Sequence, residues 1–217
     1  MIGAFCFYGY SEVFSLIEAY DSEAQVYHWG DLVAQWAVGA NNTEGVFAGQ
    51  FRSTSSQDGA STDHVHSSVA LRKVGLGTWT FNGQFNAAGS VTVSEGELVL
   101  NGQINGDAAD TCEANTAPTL TVAANALLQV GPEAVIAGPL LFAKDARLDV
   151  ETEPILKLPK GTKVTLVKAH VIEGIPALTN SRYGHNHKLQ LAIESTEDGN
   201  QVLTGTVLPT GFCVIVR

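Results

Sequence analysis

Short apolar stretches alternate with small polar residues throughout residues 69–130. In the stretch TWTF, Trp79 and Phe81 fall on one face of a strand, and Thr78 and Thr80 fall on the other. The same two-residue period continues in VTVSEGELVL and in TLTVAANALLQV, with a Gly or Asn every few residues. The pattern predicts a series of strands of about 4–6 residues with single turn residues between them.

Strands this short leave little room for a tight hairpin after each one. They suit a chain that coils, so that each strand stacks on the equivalent strand of the coil before it. We therefore predict an all-β fold, a parallel β-helix with loop excursions. The alternative is an antiparallel β-sandwich, because it also has many short strands with turn signals between them.

The pattern is less regular at the N-terminus. Residues 1–44 form either a cap or the first coil, and residues 45–217 form the β-helical repeat domain. Residues 1–36 have mixed apolar spacing and are predicted as strands, with a short helix over residues 12–20 as the alternative. The turn EDGN before QVLTGTV predicts a hairpin. Polar segments without apolar periodicity predict exposed loops at 52–68, 105–119 and 179–187.

Composition narrows the classes of partner. The chain has 217 residues, 45% of them hydrophobic, and a net charge of −10. The hydrophobic content is ample for a core, and the acidic balance argues against a nucleic-acid partner, whose phosphates need clustered Lys and Arg. No apolar run approaches ~20 residues, so we expect no membrane insertion by this chain. The start lacks a basic segment and a cleavage site typical of a signal peptide. An exported chain would then be a mature form or a piece of a longer precursor.

Cysteine usage adds little. Cys6, Cys112 and Cys213 are an odd count at wide spacing, with no CxxC pair. They predict neither a zinc knuckle nor a disulfide framework, and their disulfide status stays open.

Residues 71–104 read LRKVGLGTWTFNGQFNAAGSVTVSEGELVLNGQI. The residues that carry a likeness to a known repeat are Lys73, Gly75, Gly77, Thr78, Trp79, Thr80, Asn82, Gly83, Gly89, Thr92, Val93, Gly96 and Leu98. In this order they resemble the autotransporter-associated β-strand repeat. The chain departs from that repeat at Ala87-Ala88-Gly89, where a Gly-Gly-Thr turn is usual, and at Ala124-Asn125, where a Gly-containing corner is usual.

The resemblance covers residues 69–170. It implies a right-handed parallel β-helix on a secreted or bacterial cell-surface protein. Because the repeat is a scaffold, it implies no catalytic residues and no cofactor. Repeats of this family usually lie inside longer chains, which implies that this chain is a terminal fragment.

Charged residues near the end of the repeats are candidates for catalysis. Asp145, Arg147 and Asp149 alternate along a predicted strand, so that their side chains share one face. Such a face could bind calcium or abstract a proton. The alternative is a solvent-exposed face with charge pairing across strands.

Histidines and aromatic rings are the remaining candidates. Two His-x-His pairs that met in space could hold zinc or copper, and the alternative is that each is a solvated loop segment. The pairs are His64 with His66 and His185 with His187. Exposed aromatic rings could stack on sugars, and the candidates for this role are Trp29, Trp36 and Tyr183.

Two functions remain after these exclusions. The first is a non-enzymatic structural or adhesive β-solenoid module of a bacterial secreted or cell-surface protein, whose loops meet surface glycans or proteins. The second is a β-helix that binds or cleaves polysaccharide. The sequence indicates no ligand and no oligomeric state.

Overall fold

The structure, a computed structural model, describes residues 4–8, 12–14, 17–29, 33–53, 68–106, 117–150, 155, 158–179 and 189–208. Its strands follow one another around a coil and pair in parallel with the equivalent strands of the neighbouring coils. The fold is therefore all-β and a parallel β-helix, as predicted. The parallel pairing excludes the antiparallel sandwich, because consecutive strands lie on different faces of the coil instead of side by side.

The strands follow in chain order, coil by coil. The first three coils contain β1 (Ala4–Tyr8) and β2 (Glu12–Phe14); β3 (Gln25–Trp29), β4 (Val33–Val38) and β5 (Gly45–Phe47); and β6 (Gln50–Ser53), β7 (Ser68–Lys73) and β8 (Thr78–Phe81). The next two contain β9 (Gln84–Asn86), β10 (Gly89–Val93) and β11 (Glu97–Leu100); and β12 (Gln103–Ile104), β13 (Thr119–Val122) and β14 (Leu127–Val130).

The last two coils contain β15 (Val135–Ile136), β16 (Leu140–Phe142) and β17 (Arg147–Asp149); and β18 (Lys163–Ala169), β19 (Ile172–Glu173) and β20 (Ala177–Thr179). A hairpin of β21 (Leu189–Ser195) and β22 (Gln201–Val207) follows, as the EDGN turn predicts.

Three parallel sheets form the faces of the coil. Sheet A has the order β1-β3-β6-β9-β12-β15, sheet B has the order β2-β4-β7-β10-β13-β16-β19, and sheet C has the order β5-β8-β11-β14-β17-β20. Within the described residues, sheet B thus counts seven coils.

The N-terminal region follows the same plan. Glu12 pairs with Trp36, and the five residues of β1 pair in parallel with those of β3. The strand prediction for this region is therefore confirmed for β1 to β4, whereas residues 17–24 contain a turn and a single isolated bridge from Ala19 to Phe47. The helix alternative is wrong for Glu12–Phe14, because this segment makes its backbone hydrogen bonds to the neighbouring coil instead of to itself.

Apolar side chains fill the interior in columns that run along the helix axis. Phe47 stacks on Phe81 with ring centroids 5.8 Å apart, and Phe51 lies 6.1 Å from Phe85. Trp79 and Phe81 are both buried, which confirms the face predicted for them. Residues in register on successive coils thus pack like on like, and this packing holds the coils together.

Two kinds of corner residue let the chain turn. Between sheets C and A, a Cβ on Gly83 would lie 2.0 Å from the carbonyl oxygen of Gly49, so only glycine allows this close stacking. Between sheets B and C, most coils carry a residue in the left-handed region. Its φ is 66° at Gly96, 63° at Asn125 and 67° at Asp145.

A small antiparallel sheet, sheet D, covers the C-terminal end of the core. Its order is β18-β22-β21, so β18 leaves the parallel pattern and pairs with the final strand. Leu203 of β22 is fully buried in the core, and Gln201 accepts a hydrogen bond from the backbone N–H of Ile172 in β19. The sheet therefore shields the apolar interior of the last coil and satisfies part of its exposed backbone.

Candidate functional site

The structure separates the three charged candidates. Arg147 and Asp149 both lie on β17, but Asp145 lies in the turn before it. The prediction that all three share a strand face is therefore wrong for Asp145. The reason is the corner between sheets B and C, where Asp145 takes the left-handed conformation that Asn125 takes one coil earlier.

Arg147 makes contacts that explain its presence without a ligand. Its Nε and one terminal nitrogen donate hydrogen bonds to the carbonyl oxygen of Asn125, at 3.0 and 2.6 Å. This carbonyl belongs to the corner of the preceding coil. Asp149 is only 8% exposed. Arg147 therefore ties two corners together, and Asp149 offers little of its surface to solvent.

The aromatic candidates have different fates. Trp36 is fully buried and lies 5.9 Å from Phe51, so it is a core residue and cannot stack on a sugar ring. For Trp29 the structure describes only the backbone, within β3. Tyr183 lies outside the described residues.

All four histidine candidates, and also Cys112 and Cys213, lie outside the described residues. In the part of the chain that the structure describes, no three His, Cys, Asp or Glu residues are grouped to hold a metal.

One buried cation has a role that its strand pattern does not reveal. Lys73 is 1% exposed, and its ammonium donates to the carbonyl oxygens of Val74, Gly75 and Glu95 at 2.9, 2.8 and 3.2 Å. Burial lowers the pKa of Lys73, and the carboxylates of Glu95 and Glu97 oppose that shift. Lys73 therefore joins the corners of the third and fourth coils from the inside.

The outer face of sheet A carries a column of amide side chains. Gln25, Gln50, Gln84 and Gln103 are in register, each as the first residue of its strand. A second outward column, two residues after each of the last three glutamines, contains Arg52, Asn86 and Asn105, the last of which directly follows β12. We call these seven residues the amide face; all of them are partly exposed.

The amides of this face are ordered by bonds within each strand. Asn86 donates its Nδ2 to Oε1 of Gln84 at 2.9 Å, and Asn105 donates to Gln103 in the same way at 2.8 Å. Because the two pairs repeat from one coil to the next, the Nε2 donors of the two glutamines form part of a regular outward array. Within the described residues, neither Nε2 group donates a hydrogen bond.

The sequence contains a signal for the amide face that the period-two pattern overlooks. The pentapeptides FAGQF, FNGQF and LNGQI begin at residues 47, 81 and 100. Each combines an inward apolar residue, the corner glycine and the outward glutamine of sheet A. The two longest predicted loop excursions also begin beside this face, because they follow β6 and β12 and lead into sheet B.

Comparisons with known proteins return no family: neither a protein-family model nor a curated protein matches the chain. Among the described residues, no helix is both long and apolar enough to cross a membrane.

Proposed function

We propose that this chain is a non-enzymatic structural and adhesive β-solenoid module of a bacterial secreted or cell-surface protein. The observation that carries the proposal is the unbroken stacking of the sheets. Sheet B alone runs through seven described coils, and sheet D covers the C-terminal end of the core. A solenoid of this kind is rigid along its axis and presents long, regular faces to partners.

The contacts of the charged candidates support a scaffold. Arg147 and Lys73 both direct their charge at corner carbonyls of the stack, and Asp145 occupies a corner that needs a left-handed residue. The resemblance of residues 71–104 to the autotransporter-associated repeat supports the secreted or surface location.

Location and activity are tested separately. Intact cells that make the protein are labelled with an antibody against the chain and then treated with an external protease. We expect labelling that the protease removes. Labelling only after lysis would contradict a surface location, unless the culture medium contains the protein.

The alternative is a β-helix that cleaves polysaccharide. The purified chain is incubated with a panel of host and bacterial polysaccharides, and the retention of the protein and the length of the glycan are both measured. The proposal predicts unchanged glycan length. Shortening would make the protein an enzyme, and the triple Ala variant of Asp145, Arg147 and Asp149 would then show whether these residues carry the activity.

A further inference from the structure

We infer that the amide face binds a neutral, extended glycan that lies along the axis of the β-helix. The inference rests on the proposed adhesive function and adds a surface and a class of ligand to it. It starts from the register of Gln25, Gln50, Gln84 and Gln103.

The axial spacing of the glutamines matches that of an extended glycan. Neighbouring strands of a sheet lie about 4.8 Å apart, so the four glutamines cover about 14 Å along the axis. The rise of one coil along the axis is close to the length of one pyranose residue in an extended glycan. A glycan on this face therefore meets a glutamine at each sugar, whereas a folded protein surface has no such repeat.

The amide side chains also offer hydrogen-bond donors and acceptors that suit a sugar. The bonds from Asn86 and Asn105 hold Gln84 and Gln103 in place through their Oε1 atoms, which leaves the Nε2 groups as donors. The Oδ1 atoms of the two asparagines remain as acceptors. A donor and an acceptor repeated along the axis match the hydroxyl groups of a sugar, which both donate and accept.

The charge of the face and of the chain favours a neutral glycan over an acidic one. Among the outward side chains of sheet A that the structure describes, Arg52 is the only charged one. The chain as a whole carries a net charge of −10, which repels a polyanion. A face of amides with a single described charge, on an acidic protein, therefore favours a neutral polymer.

The test uses the whole chain and defined oligosaccharides. Calorimetry measures binding of cellotetraose, xylotetraose, maltotetraose and chitotetraose, with tetragalacturonate as the acidic probe. We expect at least one of the extended tetramers, cellotetraose, xylotetraose or chitotetraose, to bind, with an affinity that rises from dimer to tetramer and then levels off as the array is filled. Failure of all three to bind, or binding only of the curved maltotetraose or of the acidic probe, would overturn the inference.

Variants locate the site. Replacing Gln84 and Gln103 together with Ala should lower the affinity at least tenfold, and Gln129→Ala, a matched change on the outer face of sheet C, should change it less than twofold. Equal affinity of the double variant and the wild type would refute the assignment.

If the double variant does not fold, an NMR titration of the wild type tests the same assignment. The side-chain NH₂ signals of Gln84 and Gln103 should shift in NMR spectra on titration with the bound tetramer, and that of Gln129 should not. If the Gln129 signal moves and the other two stay, the glycan binds elsewhere. Because location and glycan length are assayed independently, failure of the inference leaves the scaffold proposal standing.

Discussion

Replacement of Lys73 by Met should destabilise the solenoid more than any other removal of a single charge in its described part. Methionine keeps the length and the apolar stem of the side chain but cannot donate. The carbonyl oxygens of Val74, Gly75 and Glu95 would lose their donor at a site that is 1% exposed. Water cannot easily replace it, because the Lys73 stem packs in the column between Val38 and Val93.

The magnitude follows from two opposing terms. Hydrogen bonds from a charged donor contribute about 1.5–3 kcal/mol each, and the two bonds below 3 Å are the strongest here. These contributions are already net of the cost of desolvating the donor, so the two bonds set a loss of about 3–6 kcal/mol. The apolar end of methionine, buried in place of the ammonium, offsets about 1–2 kcal/mol of that loss. We therefore expect a net loss of about 2–4 kcal/mol in the free energy of unfolding.

Urea unfolding checks this value. With an m-value of about 2–3 kcal/mol/M, the midpoint should fall by about 1 M while m stays the same. The control is Lys144→Met, which removes an exposed charge from the corner of the sixth coil. Hydrogen exchange should quicken first at the amide of Ser94, which donates to the backbone carbonyl of Lys73 at 2.9 Å. Equal midpoints for the two variants would refute the reasoning.

Three further changes test the corners and the hairpin. Gly83→Ala places a Cβ 2.0 Å from a backbone carbonyl oxygen and should lower the free energy of unfolding by about 3 kcal/mol. Gly161→Ala has open space around it and should lower the free energy of unfolding by about 1 kcal/mol. Equal urea midpoints for the two variants would contradict this. Asp145→Gly should leave the midpoint unchanged and Asp145→Val should lower the stability by about 1–2 kcal/mol, because φ is 67° there; an equal loss in both would show that the carboxylate matters more than the backbone. The hydrogen bond from Lys168 holds the pKa of Asp198 below its usual value. The stability that this bond contributes is present above the usual pKa and is lost as pH falls through the lowered one. The protection of the hairpin amides, taken relative to their intrinsic exchange rates at each pH, should therefore fall from about pH 4 downward in the wild type but not in Asp198→Asn.

Much of the fold could be predicted from the local pattern of apolar and polar residues. Alternation of the type seen in TWTF depends only on neighbouring residues, and the side chains of Trp79 and Phe81 point inward as it predicts. The short strands and single turn residues were enough to favour a coil over hairpins. The local pattern did not predict the role of Lys73. Its inward position on β7 is usually occupied by an apolar residue, and the charge is tolerated there because corner carbonyl oxygens accept its hydrogen bonds.

What the sequence determined by itself is therefore the class of fold, the faces of its strands and the places where it turns. The tertiary structure alone decided which residues meet across coils. Gln25, Gln50, Gln84 and Gln103 are separated by 25, 34 and 19 residues, so their column has no fixed period, and the motif shared by the last three does not by itself show that they lie in register. Coils of unequal length are brought into register by backbone pairing and by the fit of the core, and both depend on contacts between distant parts of the chain. The amide face, the corner role of Asp145 and the bonds of Lys73 all arise from that register.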